Sequence, residues 1–326
     1  MSQEQFFVTG ALGCLGAWVV RNLVRDNVPV TVYDLGGSTA RLNLIMSDEE
    51  VSRVRFVTGD ITDLSALENA LRAAEATHII HLAALQVPFC RANPPLGARV
   101  NVVGTVNVFE AAKNLGLRHV VYASSVAVYG RSDEYPDRIL SNDAPLRPRN
   151  LYGVYKQANE GTAFVYHQDY GINSIGLRPY TVYGPGRDQG MTSTPTKAML
   201  AAAAGQPYHI SFGGYNGFQY ADDVAKIFIQ SARATFDGAG VFNLGGSVAH
   251  MREVVAAIEA AAPEMAGQIT YEEQPLTLPD GTEDSELVKA IGPVPHTPLE
   301  AGVASTIAHF RQALAAGKIS LDQLNG

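Results

Sequence analysis

Six short runs in the first 180 residues are apolar almost throughout: 5–9, 28–34, 54–60, 77–84, 119–125 and 173–179. A strand with one wet face alternates apolar and polar residues, whereas a strand covered on both faces loses that alternation. Continuous runs of this kind predict a parallel sheet buried on both sides. Between them apolar residues recur at three- and four-residue intervals, the mark of one helical face. The spacing predicts helices over 15–27, 61–76, 98–116 and 151–171, with Asp63 placed to cap the second and Gly116 to end the third. Strict alternation of strand and helix predicts an α/β fold, a doubly wound parallel sheet with right-handed crossovers.

After Pro179 the texture changes. The stretches "YTVYGPGRDQGMTSTPTK" and "FGGYNGFQYADD" are rich in Gly, Pro, Tyr and polar residues and read as loops around short elements. "ADDVAKIFIQSARA" and "VFNLGG" predict one more helix and strand returning to the main sheet, and helices follow near 250–262 and 298–316. The expected organisation is a Rossmann-type dinucleotide-binding domain over 1–178 plus about 218–248. A smaller interleaved C-terminal substrate lobe would take about 179–217 plus 249–326.

Composition narrows the function classes. With a formal net charge of -8 and no concentrated Lys/Arg stretch, the chain offers nucleic acid no electrostatic footprint. Its 2 cysteines, Cys14 and Cys90, belong to no metal-ligand spacing, so neither a disulfide framework nor a metal site is expected. The N-terminus lacks a basic, signal-like segment, and no apolar run is long enough to span a bilayer. These features predict a cytoplasmic, soluble protein whose partner is a small molecule rather than nucleic acid or membrane.

The first strand runs into "TGALGCLG", where Gly10, Gly13 and Gly16 lie three apart before a helix. In a Rossmann turn one glycine makes the tight turn, one admits a pyrophosphate and one lets helix and strand pack closely. The helix N-terminus, with Cys14 and Leu15 in its first turn, would then face the phosphates. The same pattern could be a ligand-free turn. Asp34 ends the second strand about 20 residues on, where a carboxylate accepts from a ribose diol and repels a 2′-phosphate. This favours NAD, although Asp34 could simply start the turn "DLGG" and Ser38 and Arg41 leave NADP open. Asp60 ends the third strand and could receive an adenine amino group or cap the next helix.

Tyr152 and Lys156 stand at i and i+4, on one helical face. A tyrosine near its ordinary pKa of about 10 is a poor base at neutral pH, and an adjacent ammonium favours the phenolate. Tyr152 is therefore a candidate general acid or base. Ser125, at the C-terminal edge of the fifth strand, could share the reacting oxygen with it. His81, inside a buried strand, reads as structural.

Taken in order, "TGALGCLG", "GDITD", "HLAA", "NVVGTVNVFEAA", "YASSVAVYG", "YGVYK", "RPYTVYGPG" and "YADDVA" resemble the extended short-chain dehydrogenase/reductases, specifically the NAD-dependent epimerase/dehydratase family that includes UDP-glucose 4-epimerase. The likeness runs from about residue 5 to 245. It implies that Gly10, Gly13 and Gly16 hold the cofactor pyrophosphate, that Asp34 binds the adenosine ribose, and that Asp60 and Ile61 contact adenine. By the same resemblance Leu82, Ala83 and Ala84 line the cofactor cleft. Ser125, Tyr152 and Lys156 form the catalytic group, with Lys156 also reaching the nicotinamide ribose. A homodimer through helices near 97–116 and 151–170 is implied as well.

The resemblance also has gaps. Sugar dehydratases of this kind carry an Asp-Glu pair after the catalytic hydroxyl, where this chain has Val126 and Ala127. Hydride transfer without elimination is the expectation. Nucleotide-sugar members grip a diphosphate with an arginine where Asn216 falls here, and a second arginine of the C-terminal lobe has no match. Thr181 replaces the asparagine of the epimerase "RYFN". Charge-assisted contacts to a diphosphate are the strong ones, so their loss points to a smaller polyhydroxylated substrate: a free sugar, sugar acid or cyclitol. The expected contacts are Gln86, Ser125, Thr181, Arg187, Thr192 and Ser193, with Thr194 next to them. "TSTP" could instead start a helix, and Arg187 could be a loop salt bridge. An NAD-dependent epimerase with retained cofactor is the alternative, and a non-catalytic dinucleotide sensor a third reading.

Overall fold

The computed structural model describes residues 4–324. Seven parallel strands form the central sheet. In chain order they are Phe6–Thr9, Val30–Asp34, Arg55–Thr58, His78–His81, His119–Ala123, Asn173–Arg178 and Ala239–Asn243. Their order across the sheet places the first strand beside the second and fourth, with the third at one edge and the seventh at the other. The chain reverses its direction of winding between the first and fourth strands. Ligands of open α/β sheets bind in the crevice beyond the carboxyl ends at such a switch point.

Every residue of Phe6–Thr9 is buried, as the unbroken apolar run requires. Arg55–Thr58 departs from that expectation: three of its four residues are exposed, because an edge strand has a neighbour on one side only. Helix Cys14–Arg25 buries Trp18, Val19, Val20 and Leu23. Asp63 caps Leu64–Ala73 by accepting from the Ala66 amide at 3.0 Å. Gly116 and Gly171 end their helices in the left-handed conformation. Helices Ala221–Arg233, Met251–Ala261 and Leu299–Ala315 lie where the pattern puts them.

The helix expected over 98–116 is more elaborate. It begins at Pro94 and carries a π-helical turn over Arg99–Val103 before running on as Gly104–Leu115. Such turns widen the helix locally and turn a side chain that a regular helix would aim elsewhere. Here they turn Asn101, fully buried, toward the cleft loop.

Three small sheets complete the fold. Thr181–Tyr183, Tyr215–Tyr220 and Ser247–His250 make one, Tyr208–Ile210 with Ile269–Tyr271 another, and Ile139–Leu140 with Gly281–Thr282 the third. Among the described residues, no helix is long and apolar enough to cross a membrane.

Candidate active site

The three opening glycines differ in what a side chain there would meet. A Cβ on Gly10 would lie 2.4 Å from the Ala83 backbone nitrogen, and Gly10 is left-handed at φ +69°. A Cβ on Gly16 would lie 2.4 Å from the Ala11 Cα. These two are fixed by the protein itself. At Gly13 an added Cβ would meet only the Gly10 carbonyl oxygen, at 3.2 Å, on the wall of the cleft. That space is wanted by something else. Gly13 also precedes the helix with no side-chain cap, so the amides of the first turn stand open at its positive end. The backbone geometry fits a pyrophosphate.

Asp34 sits one strand away and is tied to the turn. Its Oδ2 accepts from the Leu12 amide at 3.1 Å and its Oδ1 from its neighbour Leu35 at 2.8 Å. Each oxygen keeps capacity for a ribose hydroxyl. Asp60 Oδ1 accepts from the Thr62 amide at 2.8 Å, so it braces the following turn while lining the cleft with Ile61. Burial pushes the Cys14 thiol up to about 11, keeping it neutral where an anion would lie.

The cleft has a volume of about 860 Å³ and runs from the glycine turn to Tyr152. Leu82, Ala83, Ala84, Gln86, Ser125, Lys156, Thr181, Arg187 and Thr192 all line it, but Ser193 does not. Ser193 is buried and its hydroxyl donates to the Gly190 carbonyl at 2.8 Å. Helix Thr194–Ala203 does start at "TSTP", with Pro195 in its first turn and no side-chain cap from Ser193.

Tyr152 is a phenol under opposed influences. Burial raises its pKa, while a hydrogen bond with Ser125 and the nearby Arg187 charge lower it. The Ser125 hydroxyl accepts from the Ala127 amide at 3.1 Å, which aims it from the strand end. Lys156 lies beside the Tyr152 ring. Its Nζ lies 5.6 Å from the Tyr152 ring centroid and donates to the Ala123 carbonyl at 2.6 Å. Burial depresses its pKa to about 8.

Beneath this group lies a buried polar layer. Arg178 forks onto Glu160 with 2.9 and 2.8 Å bonds, and Glu160 accepts from Ser124 at 2.5 Å. Arg178 also donates to the Tyr129 hydroxyl at 2.7 Å, which in turn donates to Asn243 Oδ1 at 2.7 Å. A buried ion pair is tolerated only when its remaining donors and acceptors are satisfied, as here. His81 is structural as expected: Nε2 faces Thr105 at 3.0 Å and Nδ1 faces Thr9 at 2.7 Å. Thr105 spends its proton on the Asn101 carbonyl, so His81 carries its own on Nε2.

Sequence reasoning overlooked Asn101. Its side-chain amide accepts from the Leu85 amide at 2.7 Å and donates to the Leu85 carbonyl at 2.8 Å, holding the loop that presents Leu82–Gln86. The available signal was an asparagine among apolar residues in "ARVNVVGTV". Two further segments were missed. Leu276, Thr277 and Leu278 close the far end of the cleft. The loop Gly184–Thr192 is pinned to helix Cys14–Arg25 and to Arg41: Trp18 Nε1 donates to the Pro185 carbonyl at 2.9 Å, and Asp188 accepts a fork from Arg41.

A glycine turn at a sheet switch point, an acid on the neighbouring strand and a Ser-Tyr-Lys group define a dinucleotide-dependent enzyme of the extended short-chain dehydrogenase/reductase type. Residues 6–245 match the NAD dependent epimerase/dehydratase family, and the chain belongs to it. It is 33% identical to a UDP-glucose 4-epimerase of Mycolicibacterium smegmatis, over 93% of this chain and 97% of that one. The crystal structure of Thermus thermophilus UDP-glucose 4-epimerase with NAD superposes with a TM-score of 0.79 at 28% identity, covering 94% of this chain and 99% of that one. A consensus L-threonine 3-dehydrogenase shares the fold, with a TM-score of 0.83 at 22% identity over 94% and 99% of the two chains. The enzyme is NAD-dependent, and its cleft residues fit that cofactor.

Proposed function

We propose that the enzyme oxidises a secondary alcohol, or reduces the matching ketone, on a small polyhydroxylated substrate such as a free sugar, sugar acid or cyclitol. When bound, NAD supplies the hydride acceptor. Tyr152 takes the hydroxyl proton, Ser125 orients the same oxygen, and Lys156 holds the strand end and the cofactor ribose. Val126 and Ala127 beside Ser125 carry no proton, which supports hydride transfer without elimination.

The observation that carries the small-substrate reading is what the C-terminal part of the chain brings to the cleft. Beyond residue 192 it brings only Leu276, Thr277 and Leu278, none of them charged. Asn216, in the place of an arginine, is fully buried and donates to the Gly213 carbonyl at 3.4 Å. It does not line the cleft, so the place of that arginine offers a diphosphate no cation. Arg131 and Arg149 line the cleft nearer Ser125, but Asp133 and Glu134 already engage them. Gln86 Oε1 and Arg187 Nε are buried without partners, an acceptor and a donor for substrate hydroxyls or a carboxylate.

The epimerase reading draws support from the pinned Gly184–Thr192 loop, which would slow cofactor exchange, and from the relatives' names. A homodimer is supported by exposed Leu151, Val154, Phe164 and Val165 on helix Leu151–Tyr170.

The test is thermal unfolding of the NAD-saturated protein titrated with UDP, dTDP, GDP and CDP, followed by NADH formation across free sugars and sugar acids. A ligand at 100 times its Kd adds about 2.7 kcal/mol of stability. The expected outcome is no shift with any nucleotide, and NADH from a sugar or sugar acid that Tyr152→Phe abolishes while still binding NAD. A clear shift with one nucleotide would replace this reading by a nucleotide-sugar epimerase.

A further inference from the structure

Arg41 stands where an enzyme using the 2′-phosphorylated dinucleotide would want a cation. It follows the second strand, lines the cleft, and shares the Leu12 peptide with Asp34. Asp34 accepts from the Leu12 N–H, and Arg41 Nη1 donates to the Leu12 carbonyl at 3.0 Å. Arginine near this strand end is the general means of accommodating a ribose 2′-phosphate.

Three of the five guanidinium N–H groups are nonetheless engaged within the protein. Nε donates to both oxygens of Asp188 at 3.1 Å, and Nη2 donates to Asp188 Oδ1 at 2.7 Å. Asp188 lies 147 residues away in the chain, on the Gly184–Thr192 loop. A forked carboxylate is the geometry in which a guanidinium binds best. A phosphate arriving at the ribose would have to displace it.

We infer that Asp188 is a specificity residue for the cofactor: it sequesters Arg41 and so turns a latent 2′-phosphate site into one that accepts only the unphosphorylated ribose. Asp34 repels the phosphate directly, and Asp188 does so by withholding the cation that would compensate. Neither acid alone then sets the preference. Removing Asp188 leaves Asp34 facing the phosphate and releases Arg41 Nε and Nη2, while Nη1 stays on the Leu12 carbonyl.

The experiment is calorimetric titration of NAD⁺ and NADP⁺, without substrate, into the wild type, Asp188→Asn, Arg41→Ala, the Asp188→Asn/Arg41→Ala double variant and Asp34→Ala/Asp188→Asn. One charge-assisted hydrogen bond corresponds to about tenfold or more in affinity. Asp188→Asn should improve NADP⁺ binding relative to NAD⁺ by about that factor. Arg41→Ala alone should leave the ratio near that of the wild type, and the double variant should lose the gain. Asp34→Ala/Asp188→Asn should improve the ratio further. Equal changes in both affinities on Asp188→Asn would make Asp188 a loop tether only and overturn the inference. So would a gain that persists without Arg41. An Asp188→Asn protein that melts early would be replaced by Asp188→Ser, with the same two overturning results.

Discussion

His81 shows how much a single buried side chain can set. It lies between Thr9 and Thr105, and burial depresses its pKa to about 3. In the unfolded chain it takes a proton near 6.5. Between those values the unfolded state binds more protons, so stability rises with pH and is lost as pH falls through the window. His119, lowered to about 4 by burial, acts in the same direction. One proton corresponds to about 1.4 kcal/mol per pH unit. Urea midpoints between about pH 5 and 6.5 should fall steeply for the wild type and less steeply for His81→Gln. Parallel slopes would remove His81 from the account. Lys156 extends the trend at the basic end: with a folded pKa of about 8, its desolvation cost is relieved as pH rises toward 10.5. Both residues were legible as types, His81 from its buried run and Lys156 from its spacing to Tyr152. Their partners were not, because Thr105 and the Ala123 carbonyl come from other elements.

The glycine turn is where element and function separate most cleanly. Gly10 and Gly16 are closed by the protein's own backbone, and Gly13 by little besides the cleft. Gly16→Ala should cost about 2 kcal/mol or more in folding, since backbone must move to admit the methyl. Gly13→Ala should stay within about 1 kcal/mol of the wild type yet bind NAD at least tenfold more weakly. Denaturant titration and calorimetry on the two variants would separate these effects, and equal losses of stability would contradict the distinction. The spacing of the three glycines announced the turn, but not which of them faces outward. Sequence pattern also carried the seven main strands and the long helices, whose periodicity extends over enough residues to be read. It missed the π-helical turn at Arg99–Val103, which preserves the apolar pattern and changes only where Asn101 points.

At the scale of the whole molecule, the least legible parts are the two- to six-residue strands of the small sheets. Ile139–Leu140 pairs with Gly281–Thr282 from a distant part of the chain, and two residues have no period to detect. The same segments deliver Leu276–Leu278 to the cleft, so the far wall of the site came into view only with the fold. The absence of two arginines could be read from sequence. That Asn216 is fully buried on a strand of a small sheet required the topology.

The bond between Trp18 and the Pro185 carbonyl has an optical consequence. This is the chain's 1 tryptophan, set on the helix that opens at the cofactor turn and bonded to the loop facing it. Arg21 lies 4.6 Å over its ring. An indole emits where reduced nicotinamide absorbs, so the protein carries a single donor beside its own acceptor. Rapid mixing with NADH should quench the emission at the rate of binding and give sensitised nicotinamide fluorescence. Asp188→Asn should change the emission before any cofactor is added, if the loop lifts from the helix. An unchanged spectrum would mean that Trp18 alone keeps the loop seated. Either trace would report the seating of the Gly184–Thr192 loop on the helix without a label.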